Sequence, residues 1–199
     1  MKPKAYFTPQ RIARIAILSA IGSILFLIEI PVIGFYKLDL SNLPVLLGGF
    51  SMGPLAGMLI LAIKSLIGLT HSSTVGIGEL ADFVFGTAIM LPAVLIYKRN
   101  KTRKGALTGM VIGTLSLIVT GVVANAFVFF PLYGSALNYS TQAIVGTFTK
   151  IIPYIDSLEK VLLLITSPFN LLKGVVLSAL TFLLYRHLSP LLHGRGTRA

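Results

Sequence analysis

Between Ala106 and Thr149 the chain carries no charged residue at all. A water-soluble domain has no surface on which to put such a stretch, whereas about 20 apolar residues rising 1.5 Å each cross a hydrocarbon core of roughly 30 Å. The rest of the sequence agrees: of 199 residues 55% are hydrophobic and 12% charged, and the mean hydropathy is +0.88. The apolar runs are continuous, where barrel strands would alternate apolar and polar residues over about ten positions. The chain therefore reads as an all-α membrane protein, with residues 1–199 forming a single integral membrane domain. Met1 to Gln10 lacks the small-residue cleavage site of a secretory signal peptide, so the first apolar run is expected to be retained. Without cysteine there is no disulfide, thiolate nucleophile or thiolate metal site.

The positions of the charges set the topology. A net charge of +11 suggests a nucleic-acid partner only if it forms a basic face on a soluble domain. Here Lys2, Lys4, Arg11 and Arg14 precede the first apolar run, Lys98, Arg99, Lys101, Arg103 and Lys104 fill one short loop, and Arg186, Arg195 and Arg198 follow the last run. That is the excess of cations expected of cytoplasmic segments. The candidate spans are Ile12 to Ile30, Leu43 to Phe50, Pro54 to Leu69, Leu80 to Tyr97, Ala106 to Phe130 and Val161 to Tyr185. The second is short, and merging it with the third would leave five helices and put the basic loop outside. Six spans place both termini and that loop in the cytoplasm. Gly48-Gly49-Phe50-Ser51-Met52-Gly53-Pro54 supplies the break between the second and third, since paired glycines and a proline disfavour a continuous helix. Pro131 to Lys160 is too long for a simple turn and is expected to fold over something.

Polar residues inside these runs are site candidates, because a charge near the bilayer centre costs about 2.5 to 3.5 kcal/mol on insertion scales. Lys64 either snorkels to the outer interface or pairs with Glu79 or Asp82 at the start of the fourth span. Asn170 and Lys173 are three apart and share a helix face deep in the last span. Asn125 lies among apolar residues and serves either a ligand or a neighbouring helix. Glu29 and Asp39 flank an extended segment holding Pro31, Gly34, Phe35 and Tyr36, a candidate pocket wall on the outer side. Ser72 to Gly78 lacks the Gly-Lys-Ser/Thr ending of a phosphate loop. Ala16 and Ala20, four apart in the first span, allow close approach of another helix, inside the molecule or from a partner.

The run Lys37-Leu38-Asp39-Leu40-Ser41-Asn42-Leu43-Pro44, then Gly53-Pro54-Leu55-Ala56-Gly57 and Ile63-Lys64, resembles the riboflavin-specific substrate-binding subunits (S components) of energy-coupling factor (ECF) vitamin importers. Ser73 to Phe83 and Pro168-Phe169-Asn170-Leu171-Leu172-Lys173-Gly174 extend the resemblance, in the same order, over nearly the whole chain. It implies six transmembrane helices in the cell (inner) membrane and riboflavin bound near the outer face as transported substrate, with no cofactor and no enzymatic activity. The implied partners are a transmembrane coupling subunit, docked on Ala16 and Ala20, and two cytoplasmic ATPases. Carried over by motif, Asp39, Asn125, Asn170 and Lys173, with Lys64, would contact the flavin, while Phe35, Tyr36, Phe83 and Phe127 could pack on its ring. The chain departs from the family pattern at two places. Members commonly carry Asp where this sequence has Asn42, and Asn where it has Asp82. An S component for a flavin nucleotide or another vitamin is the first alternative. A membrane enzyme acting on a lipid-like substrate is a second, weakened by the scatter of His71, His187 and His193.

Overall fold

A computed structural model describes residues 6–193, with side chains as far as Leu184. Lys2, Lys4, Arg195 and Arg198 lie outside the described residues, as do the side chains of Arg186, His187 and His193. The elements are α1 (Pro9–Phe26), β1 (Ile30–Ile33), β2 (Tyr36–Leu38), α2 (Asn42–Met52), α3 (Pro54–Gly68), α4 (Ile77–Arg99), α5 (Arg103–Ala124), α6 (Phe130–Leu137), α7 (Thr141–Thr149), α8 (Leu158–Val161) and α9 (Ser167–His193).

Among the described residues, five helical stretches are long and apolar enough to cross a membrane: Pro9–Phe26, Pro54–His71, Ile77–Arg99, Arg103–Leu137 and Leu158–Leu184. Helix α2 has 11 residues, hence a length of about 16 Å, well short of a bilayer core. It is instead the centre of the bundle: every residue from Asn42 to Phe50 is buried. It packs with α1, α3, α4 and α9 around Val45, Leu46, Ile60, Leu61, Ile89, Met90 and Leu177. The break expected between the second and third spans falls at Gly53, whose φ of 97° only glycine adopts without strain, with Pro54 opening α3. Gly48 and Gly49 do not contribute to it. They lie inside α2, where a Cβ on Gly49 would meet the Val94 side chain of α4 at 2.7 Å.

Helix α1 starts where the Thr8 hydroxyl accepts from the Arg11 amide at 3.3 Å and Pro9 occupies the first turn. Its buried residues, Ile15, Leu18, Ser19 and Gly22, form one stripe at helical spacing. Ile12, Ile17, Ile21 and Ile24 face outward, as on a helix whose remaining surface is solvated by lipid.

The purely helical expectation is corrected at one place. Ile30–Ile33 and Tyr36–Leu38 pair as an antiparallel hairpin, with Ile33 opposite Tyr36 and Gly34 at a φ of 55° in the turn. Two strands with open edges are tolerated only outside the hydrocarbon, where water or protein satisfies the free backbone groups. Pro131 to Lys160 forms α6, α7 and the approach to α8, and folds over this hairpin. Tyr36, Phe130, Ile144, Phe148, Ile155 and Phe169 make a second apolar cluster there.

Candidate functional site

Under the hairpin is a cavity of about 570 Å³. Its walls come from the end of α1, the ends of α3 and α5, and the beginnings of α4 and α9. All these helix ends lie opposite the basic turn Lys98–Lys104, which joins the far ends of α4 and α5.

The aromatic side of the cavity is made by Phe35, Tyr36, Phe130 and Phe169. Phe35 and Tyr36 stack with centroids 4.9 Å apart, Tyr36 lies 4.8 Å from Phe169, and Phe35 meets Phe148 edge-on at 5.2 Å. The Tyr36 hydroxyl is 2.6 Å from Thr166 Oγ1, which itself donates to the Val161 carbonyl at 3.3 Å. Burial pushes the Tyr36 phenol up to about 12. This bond ties the hairpin to a π-helical turn, Leu162–Thr166, just before α9. A matching π-turn, Asn125–Phe129, ends α5. Both widen the helix at the level of the cavity, and such turns frequently accompany functional sites.

Two polar groups border the same cavity as these rings. Lys173 Nζ donates to Asp39 Oδ2 at 2.8 Å, joining the last helix to the segment after the hairpin. Burial alone would raise the Asp39 carboxyl, but the Lys173 and Lys64 ammonium groups outweigh it and hold the carboxyl well below the usual carboxylate range. Asn125, also on the lining, donates to the Gly121 carbonyl at 2.7 Å. Asn170 meets the same spot from α9: a Cβ on Gly121 would fall inside the Asn170 amide. Asn170 Nδ2 is buried with no hydrogen-bond partner among the described residues.

Comparison with known proteins decides what kind of molecule has this architecture. The family model described as ECF transporter, substrate-specific component, matches residues 10–185. The chain belongs to that family. A riboflavin transporter RibU of Staphylococcus aureus (strain TCH60) is 32% identical over 186 residues, covering 92% of each chain. The riboflavin transporter FmnP of Bacillus subtilis (strain 168) is 26% identical, covering 91% of this chain and 93% of that one. A solved bacterial ECF transporter S component superposes with a TM-score of 0.72 at 31% identity, covering 93% of this chain and 98% of that one. The protein is thus the substrate-binding subunit of an ECF transporter in the cell membrane, and its relatives are transport proteins rather than enzymes.

Within this S component the residues singled out in the sequence separate into groups. Asp39, Asn125, Lys173, Phe35 and Tyr36 line the cavity, and Asn170 lies behind Asn125. Lys64 neither snorkels nor reaches the cavity. Fully buried, it pairs with Asp82, donates to Ser41 Oγ at 2.5 Å and approaches the Phe26 ring at 4.9 Å. Glu79 is not its partner, accepting instead from Ser72 Oγ at 2.8 Å and Thr74 Oγ1 at 3.4 Å.

Phe83 and Phe127 do not line the cavity. Phe127 is 78% exposed, because a residue two positions from inward-facing Asn125 turns to the other side of the helix. Phe83 packs on the bundle core beside Asp82, and the ring at the lining is Phe85, two residues further on and about one turn from Asp82. Ala16 and Ala20 are exposed on α1, so packing inside the molecule does not account for their spacing.

Sequence reasoning missed Phe130, Tyr133, Tyr139 and Phe169. Phe169 had a local signal, being next to Asn170. Phe130 lies five residues after Asn125, a spacing that only the π-turn aligns.

Proposed function

We propose that this S component captures riboflavin from the outer side of the membrane and passes it inward through a transmembrane coupling subunit driven by two cytoplasmic ATPases. The observation that carries the reading is the cavity itself. Its volume of about 570 Å³ lies in the range of small-molecule sites, and its lining combines aromatic rings with an amide and a lysine–carboxylate pair. An isoalloxazine ring has the same division, an apolar body with one edge of alternating donors and acceptors.

In this reading Phe35, Tyr36 and Phe169 pack on the ring, while Asn125, Asn170 and Lys173 meet its polar edge. Asp39 orients Lys173. The hairpin, hinged on the bond from Tyr36 to Thr166, closes the outer mouth. Relatives named as riboflavin transporters support the choice of ligand. The charge pattern favours the vitamin over a flavin nucleotide, since Lys37 and Lys173, the lysines on the lining, are already paired with Glu29 and Asp39.

The topology that fits this direction of capture has six membrane-embedded helices, with α2 the buried short one and both termini cytoplasmic. The whole chain then acts as one domain, and Ala16 and Ala20 form the exposed strip on which the coupling subunit docks.

Purified protein is expected to quench riboflavin fluorescence on stoichiometric titration, with no displacement by other vitamins. A colourless preparation that leaves added riboflavin fluorescent overturns the assignment. Displacement by an unrelated vitamin redirects it to that vitamin.

A further inference from the structure

Glu79 has no place in the contacts assigned to the flavin so far. It lies on the cavity lining, more than nine-tenths buried, and among the described residues it forms no ion pair. Hydroxyls of Ser72 and Thr74 hold one carboxylate oxygen, and Thr74 also accepts from the Gly78 amide at 2.9 Å, which fixes the group to the first turn of α4. Around it the lining changes character. Thr74, Ser73 and His71, close to Glu79 in the chain, line the same cavity as the Phe35, Phe130 and Phe169 rings.

We infer that Glu79 is a specificity-determining residue that meets the polyol chain of the substrate and excludes flavins bearing a phosphate at its end. The inference rests on the riboflavin reading above. With the ring packed on Phe35, Tyr36 and Phe169, the polyol reaches Ser73 and Thr74, where the fixed Glu79 carboxylate accepts from sugar hydroxyls. A phosphate there carries about −1.5 to −2 charge at neutral pH and faces a like charge in a poorly screened site. The lysines of the lining are bound to carboxylates, so none compensates it.

Fluorescence titration of the intact protein in detergent tests this with riboflavin and riboflavin 5′-phosphate. Wild type is expected to prefer riboflavin, and E79Q to reduce that preference by about tenfold, chiefly by binding the phosphate ester more tightly. D156N removes an equal charge from an exposed site on the outer side away from the cavity and is expected to leave both affinities alone. A preference that E79Q leaves unmoved, including equal loss of both ligands, overturns the inference, as does an equal shift with D156N. A second measurement needs no variant: the uncharged 5′-acetate ester should bind wild type at least about tenfold more tightly than the phosphate. If both esters are rejected alike, exclusion is by size and the inference falls. Failure of wild type to bind riboflavin at all defeats the underlying reading and this one with it. Normal riboflavin binding with an unmoved preference defeats this one alone.

Discussion

Lys64 with Asp82 and Lys173 with Asp39 are the same two side-chain types in two settings. In the first pair Asp82 reaches the cavity lining but Lys64 is sealed among α1, α2, α3 and α4, with Lys64 0% and Asp82 8% exposed, and its ammonium also meets Ser41 and the face of Phe26. The second, 10% and 9% exposed, borders the cavity and joins α9 to the segment that follows the hairpin. Near-equal burial therefore does not separate structural from ligand-facing charge. What separates them is where the remaining hydrogen-bonding capacity points: for Lys64 into the bundle, for Lys173 toward open space. The two are also linked, since Asp39 accepts from the Ser41 amide at 2.9 Å and Ser41 Oγ accepts from Lys64. A change at the cavity pair thus reaches the packing of α1, where Gly22 leaves room for the Lys64 stem.

The comparison breaks most visibly on stability. Lys64→Met leaves Asp82 buried without its cation and is expected to cost about 3 to 5 kcal/mol, read as a large drop in the thermal unfolding temperature in detergent. Asp82→Asn should cost a similar amount. The exchange Asn42→Asp with Asp82→Asn should recover most of that loss, because Asn42 Nδ2 already donates to Asp82 Oδ1 at 2.9 Å. A double variant no more stable than D82N would mean that Lys64 cannot follow the carboxylate across that bond.

That exchange shows how far the sequence could be read. The two departures from the family pattern, Asn42 and Asp82, lie 40 residues apart in the chain and face each other in space. Together they move one carboxylate across a hydrogen bond and leave the net charge beside Lys64 unchanged, so they say little about ligand charge. Apolar runs made the membrane helices legible, and the break at Gly53-Pro54 was legible from backbone chemistry. Two other features were not. The central position of α2 follows from helices that are distant in sequence, and the assignment of Asp82 rather than Glu79 to Lys64 depends on helix phase that spacing alone leaves open. Asn125 and Lys173 were found because lipid penalises polar side chains, a signal aromatic residues never give, so Phe130 and Phe169 passed unseen.

At the cavity pair the expected effect is smaller and falls on affinity. Lys173→Ala and Asn170→Ala should each weaken riboflavin binding by about 1 to 3 kcal/mol, with a smaller shift in unfolding temperature than Lys64→Met gives. Equal damage to stability from Lys64→Met and Lys173→Ala would erase the distinction drawn between the pairs. The depressed Asp39 carboxyl adds a direction in pH. Its contribution to stability is complete above the ordinary carboxylate value of about 3.9 and is lost as the pH falls toward its lower folded value, so acid should weaken the closed site only below about pH 4.

The smallest effect concerns the hinge of the hairpin. Tyr36→Phe removes one buried hydroxyl while keeping the ring 4.8 Å from Phe169, and Thr166 retains its own bond to Val161. The cost at neutral pH is expected to be about 1 kcal/mol. Alkali sharpens the test, because the Tyr36 phenol is held near 12 in the fold and titrates near 10 when unfolded. The neutral form is therefore favoured by folding, so its contribution is intact below about pH 10 and declines between about 10 and 12. Tyr36→Phe has no such proton to lose, while the other tyrosines are common to both proteins. The gap in stability should narrow as the pH rises through that window. Parallel curves would mean that the Tyr36 hydroxyl is solvated in the folded protein, and that the hairpin is held by its rings alone.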